Sequence, residues 1–208
     1  VLIQVAYAGI NRPDVLQRMG LYMPPQDASP LLGLEVSGRI ALLGDAVQGL
    51  RIGDMVTALV HGGGYAEYCI AEAGQVLSVP TGMNLATAAA LPETWFTVWS
   101  NLIHRGHLAA GERLLVHGGA SGIGLTAIQL AKHLGVECMV TVGDDAKAEV
   151  CRQFGASAAI NYRKVDFAEE VKRLSAGEGI DVILDIIGAP YFQRNLDVLR
   201  IDGRLLFI

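Results

Sequence analysis

The stretch whose residue types and spacing most directly suggest chemistry is Leu114-Leu115-Val116-His117-Gly118-Gly119-Ala120-Ser121-Gly122-Ile123-Gly124. Its glycines follow the pattern Gly119-x-x-Gly122-x-Gly124, after a run that reads as a strand and before one that reads as a helix. Glycine in that place lets the backbone turn tightly and approach a pyrophosphate. The first N–H groups and the dipole of the helix then favour the negative charge. The strand–loop–helix context raises the pattern above a bare glycine spacing. The bland alternative is a glycine-rich turn that holds nothing. Gly119, Ser121, Gly122, Ile123 and Gly124 are the expected contacts of this loop.

An acidic residue about 20 positions past such a loop, near the end of the next strand, binds ribose hydroxyls in sites for NAD. Asp144 and Asp145 stand near that distance from Gly124, with Gly143 just before them. The strand itself is expected to end at Val142, which sets Asp144 slightly late. Other chemical candidates are weaker. His104-x-x-His107 could place two imidazoles on one helical face, but no third ligand accompanies them, and histidines at a helix end also suit its dipole. His117 reads as a strand-end packing residue. Cys69, Cys138 and Cys151 read as buried small apolar residues rather than nucleophiles. Asp14 and Glu67 could act as acids, although Asp14 reads better as a cap of a turn or helix start.

The elements that must position these residues change character near Leu91. Before it, short strands alternate with Gly, Pro and Asp turns: Val1–Ala6, Val36–Leu43, Met55–Val60 and Tyr65–Ala71. After it, a helix over Pro92–His104 precedes a regular alternation. Strands are expected at 113–117, 137–142, 158–161, 181–186 and 204–208, and helices at 122–134, 146–154, 166–175 and 191–199. Apolar runs joined by helical crossovers predict an α/β fold with a parallel sheet covered on both faces. The expected division is 1–91 for the β-rich part and 92–208 for the alternating part.

Composition narrows the partners. The chain has 208 residues, with 16 basic against 21 acidic side chains, a net charge of −5, and 51% hydrophobic residues. An acidic balance speaks against nucleic acid or an anionic membrane as the main partner. No apolar stretch approaches the ~18 residues of a spanning helix. Three cysteines without a Cys-x-x-Cys exclude a disulfide scaffold and a four-cysteine zinc lobe, and point to a reducing, cytoplasmic setting. The chain starts at Val1 and stops at Ile208 inside strand-like runs, which reads as a fragment of a longer protein.

Several further motifs then fall in order. They are Gly9-Ile10-Asn11-Arg12-Pro13-Asp14, Arg18-Met19-Gly20-Leu21-Tyr22, Gly33-Leu34-Glu35-Val36-Ser37-Gly38, Gly53-Asp54-Met55-Val56, Gly63-Gly64-Tyr65-Ala66-Glu67-Tyr68, Ala88-Ala89-Ala90-Leu91-Pro92 and Asp185-Ile186-Ile187-Gly188. With the loop they make the chain resemble the medium-chain dehydrogenase/reductase superfamily, and within it the zinc-free, zeta-crystallin-like quinone oxidoreductase branch. A short-chain reductase reading is disfavoured, because the loop comes after half the chain and Tyr162-Arg163-Lys164 lacks the Tyr-x-x-x-Lys spacing. The resemblance implies a GroES-like substrate domain lacking its N-terminus and a Rossmann domain lacking its C-terminal part. It also implies a homodimer.

Zinc members of the superfamily carry Cys in the first motif and Gly-His-Glu in the third, where this chain has Asn11 and Gly33-Leu34-Glu35. No metal is therefore expected. By the resemblance, Lys147 and Tyr162 match residues that contact the 2′-phosphate of NADPH. Thr97 and Gly188 match positions near the nicotinamide, and Asn11, Tyr22 and Tyr65 line the substrate cleft. Asp144 departs from that pattern and would repel a phosphate; Lys147 and Tyr162 weigh against it, so NADPH is favoured, with NADH as the alternative. The expected reaction is hydride transfer to a quinone or similar electron-poor acceptor, oriented by Asn11 and Tyr22. An enoyl reductase of the same fold is the second reading, and a non-catalytic, crystallin-like cofactor-binding protein the third.

Overall fold

The computed structural model describes residues 1–208. The chain forms two compact units, Val1–Phe96 and Thr97–Ile208. In the first, short strands with alternating faces build an antiparallel sheet. Its members are β1 (Leu2–Ala8), β2 (Glu35–Leu42), β3 (Met55–Leu59), β4 (Tyr68–Ile70) and β5 (Val76–Ser78). They run in the order β4-β1-β2-β3-β5, and Ile3, Val36, Ile40, Val56, Ala58 and Val60 form the core.

The strand expected over Tyr65–Ala71 is shorter, because β1 gives β4 register partners only at Leu2, Ile3 and Gln4. Two short helices lie outside the sequence expectation: α1 (Arg12–Arg18) and α2 (Leu85–Ala88). Each begins at an asparagine. Asn84 Oδ1 accepts the Thr87 N–H at 2.8 Å. At α1 the Asn11 N–H donates to Asp14 Oδ2 at 2.8 Å, which makes Asp14 a helix-start residue, as expected.

The second unit is the α/β part. Helix α3 (Pro92–Val98) contains the division between the units. Beyond it lie β6 (Arg113–His117), α4 (Gly122–Leu134), β7 (Glu137–Val142), α5 (Asp145–Phe154), β8 (Ala158–Asn161), α6 (Phe167–Leu174), β9 (Ile180–Asp185), α7 (Phe192–Val198) and β10 (Leu199–Phe207). The strands pair in parallel in the order β10-β9-β6-β7-β8. This is the expected Rossmann-like, doubly wound sheet. The chain steps outward from β6 to β8, then returns to the other side of β6 with β9. The order reverses there, and a crevice opens outside the carboxyl ends of β6 and β9. Leu115, Met139, Ile160, Phe167, Val171, Ile180 and Ile183 fill part of the core.

The helix expected over Pro92–His104 is α-helical only to Val98 and continues as a π-helix over Trp99–Arg105. A side chain bonds back into the helix at this point. Asn101 Nδ2 donates to the Thr97 carbonyl at 2.9 Å, four residues back. Its own carbonyl accepts from Gly106 N at 2.8 Å, five residues on. No helix is long and apolar enough to cross a membrane.

The start of α4 leaves no room for a side chain: a Cβ on Gly124 would lie 2.4 Å from the Gly119 carbonyl oxygen. Gly124→Ala should therefore lower stability by about 1–3 kcal/mol. Gly74→Ala, with nothing within 4 Å of its Cβ, should stay within about 0.5 kcal/mol. Urea denaturation of both variants checks the pair.

Candidate functional site

In the second unit, the carboxyl ends of the parallel strands surround a cavity of about 310 Å³, lined by Gly118, Ser121, Gly143, Lys147, Tyr162 and Ile187 among others. Four expected cofactor residues thus come together: Ser121, Gly143, Lys147 and Tyr162. Ser121 precedes α4, and its Oγ accepts the Gly124 N–H at 3.0 Å. Tyr162 follows β8 and crowds Gly143, where an added Cβ would stand 2.8 Å from the phenol oxygen. The other expected residues do not line the cavity. Gly119 donates its N–H to the Thr141 carbonyl at 2.9 Å. Gly122, Ile123 and Gly124 form the first turn of α4, Thr97 lies in α3, and Gly188 follows β9.

Asp144 does not line the cavity either. It caps α5: Oδ1 accepts the Lys147 N–H at 2.8 Å, and Oδ2 pairs with Lys147 Nζ at 3.2 Å. The Lys147 amide and ammonium hold its carboxyl below the ordinary range. The carboxylate is therefore engaged with the helix start and with the lysine beside the cavity. Glycine backbone at a helix start, a cation, a phenol and a groove at the strand ends fit a phosphorylated dinucleotide. Amide and ammonium groups of this kind could meet phosphates, and a groove of this kind could take flat rings.

The first unit gathers a second set of groups. Glu35 is 2% exposed and Asp14 3%. Glu35 accepts from Asn11 Nδ2 at 2.8 Å and from the Glu93 N–H at 2.9 Å. Asp14 also accepts the Gly33 N–H at 3.0 Å. Gly9 passes so close that a Cβ would stand 2.0 Å from Glu35 Oε1. Tyr65 donates from its hydroxyl to the Gly9 carbonyl at 3.2 Å. Burial pushes the Glu35 carboxyl up, opposed by its two N–H donors. Burial, followed by the charges of Glu35 and Asp14, pushes Glu93 up to about 6. Tyr65 is pushed up to about 12, first by burial and then by Asp14.

Tyr22 is 42% exposed. It lines a separate cavity of about 260 Å³ with Pro13, Gln17, Leu34, His61 and Glu93. Asn11 and Tyr65 therefore belong to the acidic cluster, Tyr22 to the cavity, and Glu93 to both. Sequence reasoning missed Glu93; its only local signal is an acid in the first turn after Pro92. Of the histidine pair, His104 accepts the Trp99 indole N–H at 3.1 Å. No group of three or more His, Cys, Asp or Glu side chains is arranged to hold a metal ion. All three cysteines are buried.

The raised Glu93 carboxyl has a sign that can be tested. The folded state holds its proton more tightly than the ordinary value of 4.5 allows, so its contribution is complete below about 4.5 and is lost as pH rises through about 6. Glu93→Gln should raise stability at pH 8 relative to pH 5, by about 1 kcal/mol after solvent screening. Thermal melts at the two pH values measure the difference.

The alcohol dehydrogenase GroES-like domain family matches residues 1–81, and the family described as zinc-binding dehydrogenase matches residues 122–208. The chain is 34% identical over 206 residues to one component of the phenolphthiocerol/phthiocerol polyketide synthase of Mycobacterium tuberculosis, covering 99% of this chain and 9% of that protein. It is 32% identical over 213 residues to the human quinone oxidoreductase, covering 100% of this chain and 64% of that protein. Among solved structures, the CurK enoyl reductase superposes with a TM-score of 0.88 at 34% identity, over 100% of this chain and 64% of that one. Mycobacterial Rv1454c, solved with NADPH, gives 0.88 at 31% identity, over 100% and 65%. The chain thus spans less than two thirds of the length of each of these relatives. A GroES-like first part, a parallel second part with its glycine loop at the switch point, and these matches agree: the chain belongs to the medium-chain dehydrogenase/reductase superfamily of oxidoreductases.

Proposed function

We propose that the protein carrying this chain is an NADPH-dependent reductase of quinones or similarly electron-poor acceptors that works without zinc. The observation that carries this reading is the placement of Ser121, Gly143, Lys147 and Tyr162 around one cavity at the strand ends. The likeness to Rv1454c, solved with NADPH, supports the choice of cofactor. NADPH, when bound, supplies the hydride. The chain's own residues bind and orient. The Lys147 ammonium and Tyr162 hydroxyl meet the 2′-phosphate, and the start of α4 faces the pyrophosphate. Asp144 stays occupied at the start of α5. Tyr22 offers a ring face and a phenolic proton to a flat acceptor. Glu93, on the same cavity and raised to about 6, holds a proton within range of neutral pH. A quinone that accepts one hydride and one proton leaves as the hydroquinone, that proton drawn from solvent through these groups. Zinc independence rests on Leu34, which has no donor atom, and on Asn11, whose amide donates to Glu35.

A second reading, reduction of an activated C=C bond in an acyl thioester, is favoured by the likeness to the CurK enoyl reductase and to the mycobacterial polyketide synthase. The full-length protein with NADPH separates them. Turnover of a simple benzoquinone well above that of crotonyl-CoA supports the first reading, and the reverse order replaces it with the second.

Cofactor choice is tested on the same protein by fluorescence titration. Lys147→Ala should weaken NADPH binding about 10- to 100-fold, the loss of one charge-assisted contact, and leave NADH within threefold. Asp144→Ser keeps an oxygen to cap α5 and removes a negative charge, so it should tighten NADPH binding. Equal losses of NADPH and NADH on Lys147→Ala would sink the 2′-phosphate role.

A further inference from the structure

We infer that His117 is a positioning residue that joins the glycine-rich loop to the loop after β9 through one buried hydrogen-bond relay, so that the two loops place one dinucleotide together. This rests on the dinucleotide reading above and concerns how its site is held.

The relay is continuous. Asp185, at the end of β9, is buried, and its Oδ1 accepts the Ile187 N–H at 2.6 Å and the Gly188 N–H at 3.1 Å. Its Oδ2 accepts from Asn195 Nδ2 at 2.9 Å. Asn195 Oδ1 then faces His117 Nε2 at 2.7 Å. His117 Nδ1 stands 3.0 Å from Thr141 Oγ1, and that oxygen stands 3.4 Å from the Gly118 N.

Chemistry fixes the direction of the protons from Asp185 to the ring. A carboxylate only accepts, so Asn195 turns its NH₂ to Asp185 and its oxygen to the ring. Nε2 must therefore carry the proton. Burial disfavours the charged ring, and in the neutral Nε2–H tautomer Nδ1 accepts from the Thr141 hydroxyl, which in turn accepts from Gly118.

Both ends of the relay reach the same cavity, because Gly118, Thr141 and Ile187 line it. Gly188 lies in the loop at the other end, with a positive φ of 81°. Packing alone does not call for this arrangement. His117 sits edge-on between the rings of Phe167, at 4.9 Å, and Tyr191, at 4.8 Å, a slot suited to an apolar ring. Four fully or nearly fully buried polar side chains instead satisfy one another across three strands and a helix.

The groups facing the ring are Thr141 from β7, Phe167 from α6, Asp185 from β9, Tyr191 from the segment before α7, and Asn195 and Arg194 from α7. Arg194 lies 4.7 Å over the Phe167 and Tyr191 rings and pairs with Asp166, the cap of α6. Burial lowers the His117 pKa, with Arg194 adding to the effect and Asn195 and Asp185 opposing it.

The test uses the full-length protein. Thr141→Val deletes the hydroxyl that links the ring to Gly118 and keeps its shape. It should raise the Kd for NADPH about tenfold, and Thr141→Ser should restore it. Asn195→Leu should raise it similarly, and the double variant should be no worse than the worse single one. In the unliganded wild type, long-range ¹H–¹⁵N spectra should show His117 as the neutral Nε2–H tautomer from pH 8 to pH 5.5. If Asn195→Leu does not fold, the Thr141 pair and the wild-type spectrum still decide. An Nδ1–H tautomer, an imidazolium at pH 6, or a Kd unchanged within twofold in Thr141→Val overturns the relay. A wild type that binds neither NADPH nor NADH overturns the dinucleotide reading and the relay with it. Binding that is intact in the wild type and in every variant overturns the relay alone.

Discussion

The contact on which the second unit depends is a backbone meeting a backbone. The first turn of α4 presses against the chain leaving β6, with Gly124 over the Gly119 carbonyl. A helix can start this close to a central strand only where neither partner carries a side chain. That proximity aims the helix N-terminus along the carboxyl edge of the sheet. The same edge receives the ends of β7, β8 and β9, which bring Gly143, Tyr162 and Ile187 to one cavity. The cavity therefore exists because the glycine loop is short and tight, and because the strand order reverses beside β6.

Much of this is legible in the residues. The strands at 113–117, 137–142 and 158–161 and the helix at 122–134 have the ends that the sequence predicts. Strands buried on both faces read as plain apolar runs. Gly135, Gly155 and Asp166 mark helix ends by their own conformational or hydrogen-bonding chemistry, whereas Asp144, read in the sequence as a ribose-binding acid, is a helix cap. Lys147 and Tyr162 are legible as a pair only through the resemblance; nothing local says that residues fifteen apart share a cavity.

What stays hidden depends on contacts made over distance. The π-helix contains an amide, Asn101, that bonds to a carbonyl a turn back, and no periodicity announces it. Glu93 looks like an ordinary helix-start acid until Glu35 and Asp14 are placed beside it. Asn195 looks like a polar residue in an exposed helix. It is buried because β9 ends in a carboxylate and β6 in an imidazole, and a residue with both donor and acceptor must stand between them. His117 reads as packing, and its ring does pack. Its two nitrogens carry the information that the sequence withholds.

The pair formed by Asp144 and Lys147 has a consequence for how cofactor preference can drift. Both side chains are about half exposed, so the ion pair itself is worth little. An incoming phosphate would therefore exchange one anion for another at the ammonium rather than add a wholly new bond. On the proposed cofactor reading, a resident counterion of this kind would make the lysine a graded selector. Small changes at position 144 shift the exchange without touching the fold, since any short side chain with an oxygen can still cap α5. Discrimination between two otherwise identical dinucleotides can then evolve by steps at one surface position, while the buried frame beneath it stays constant.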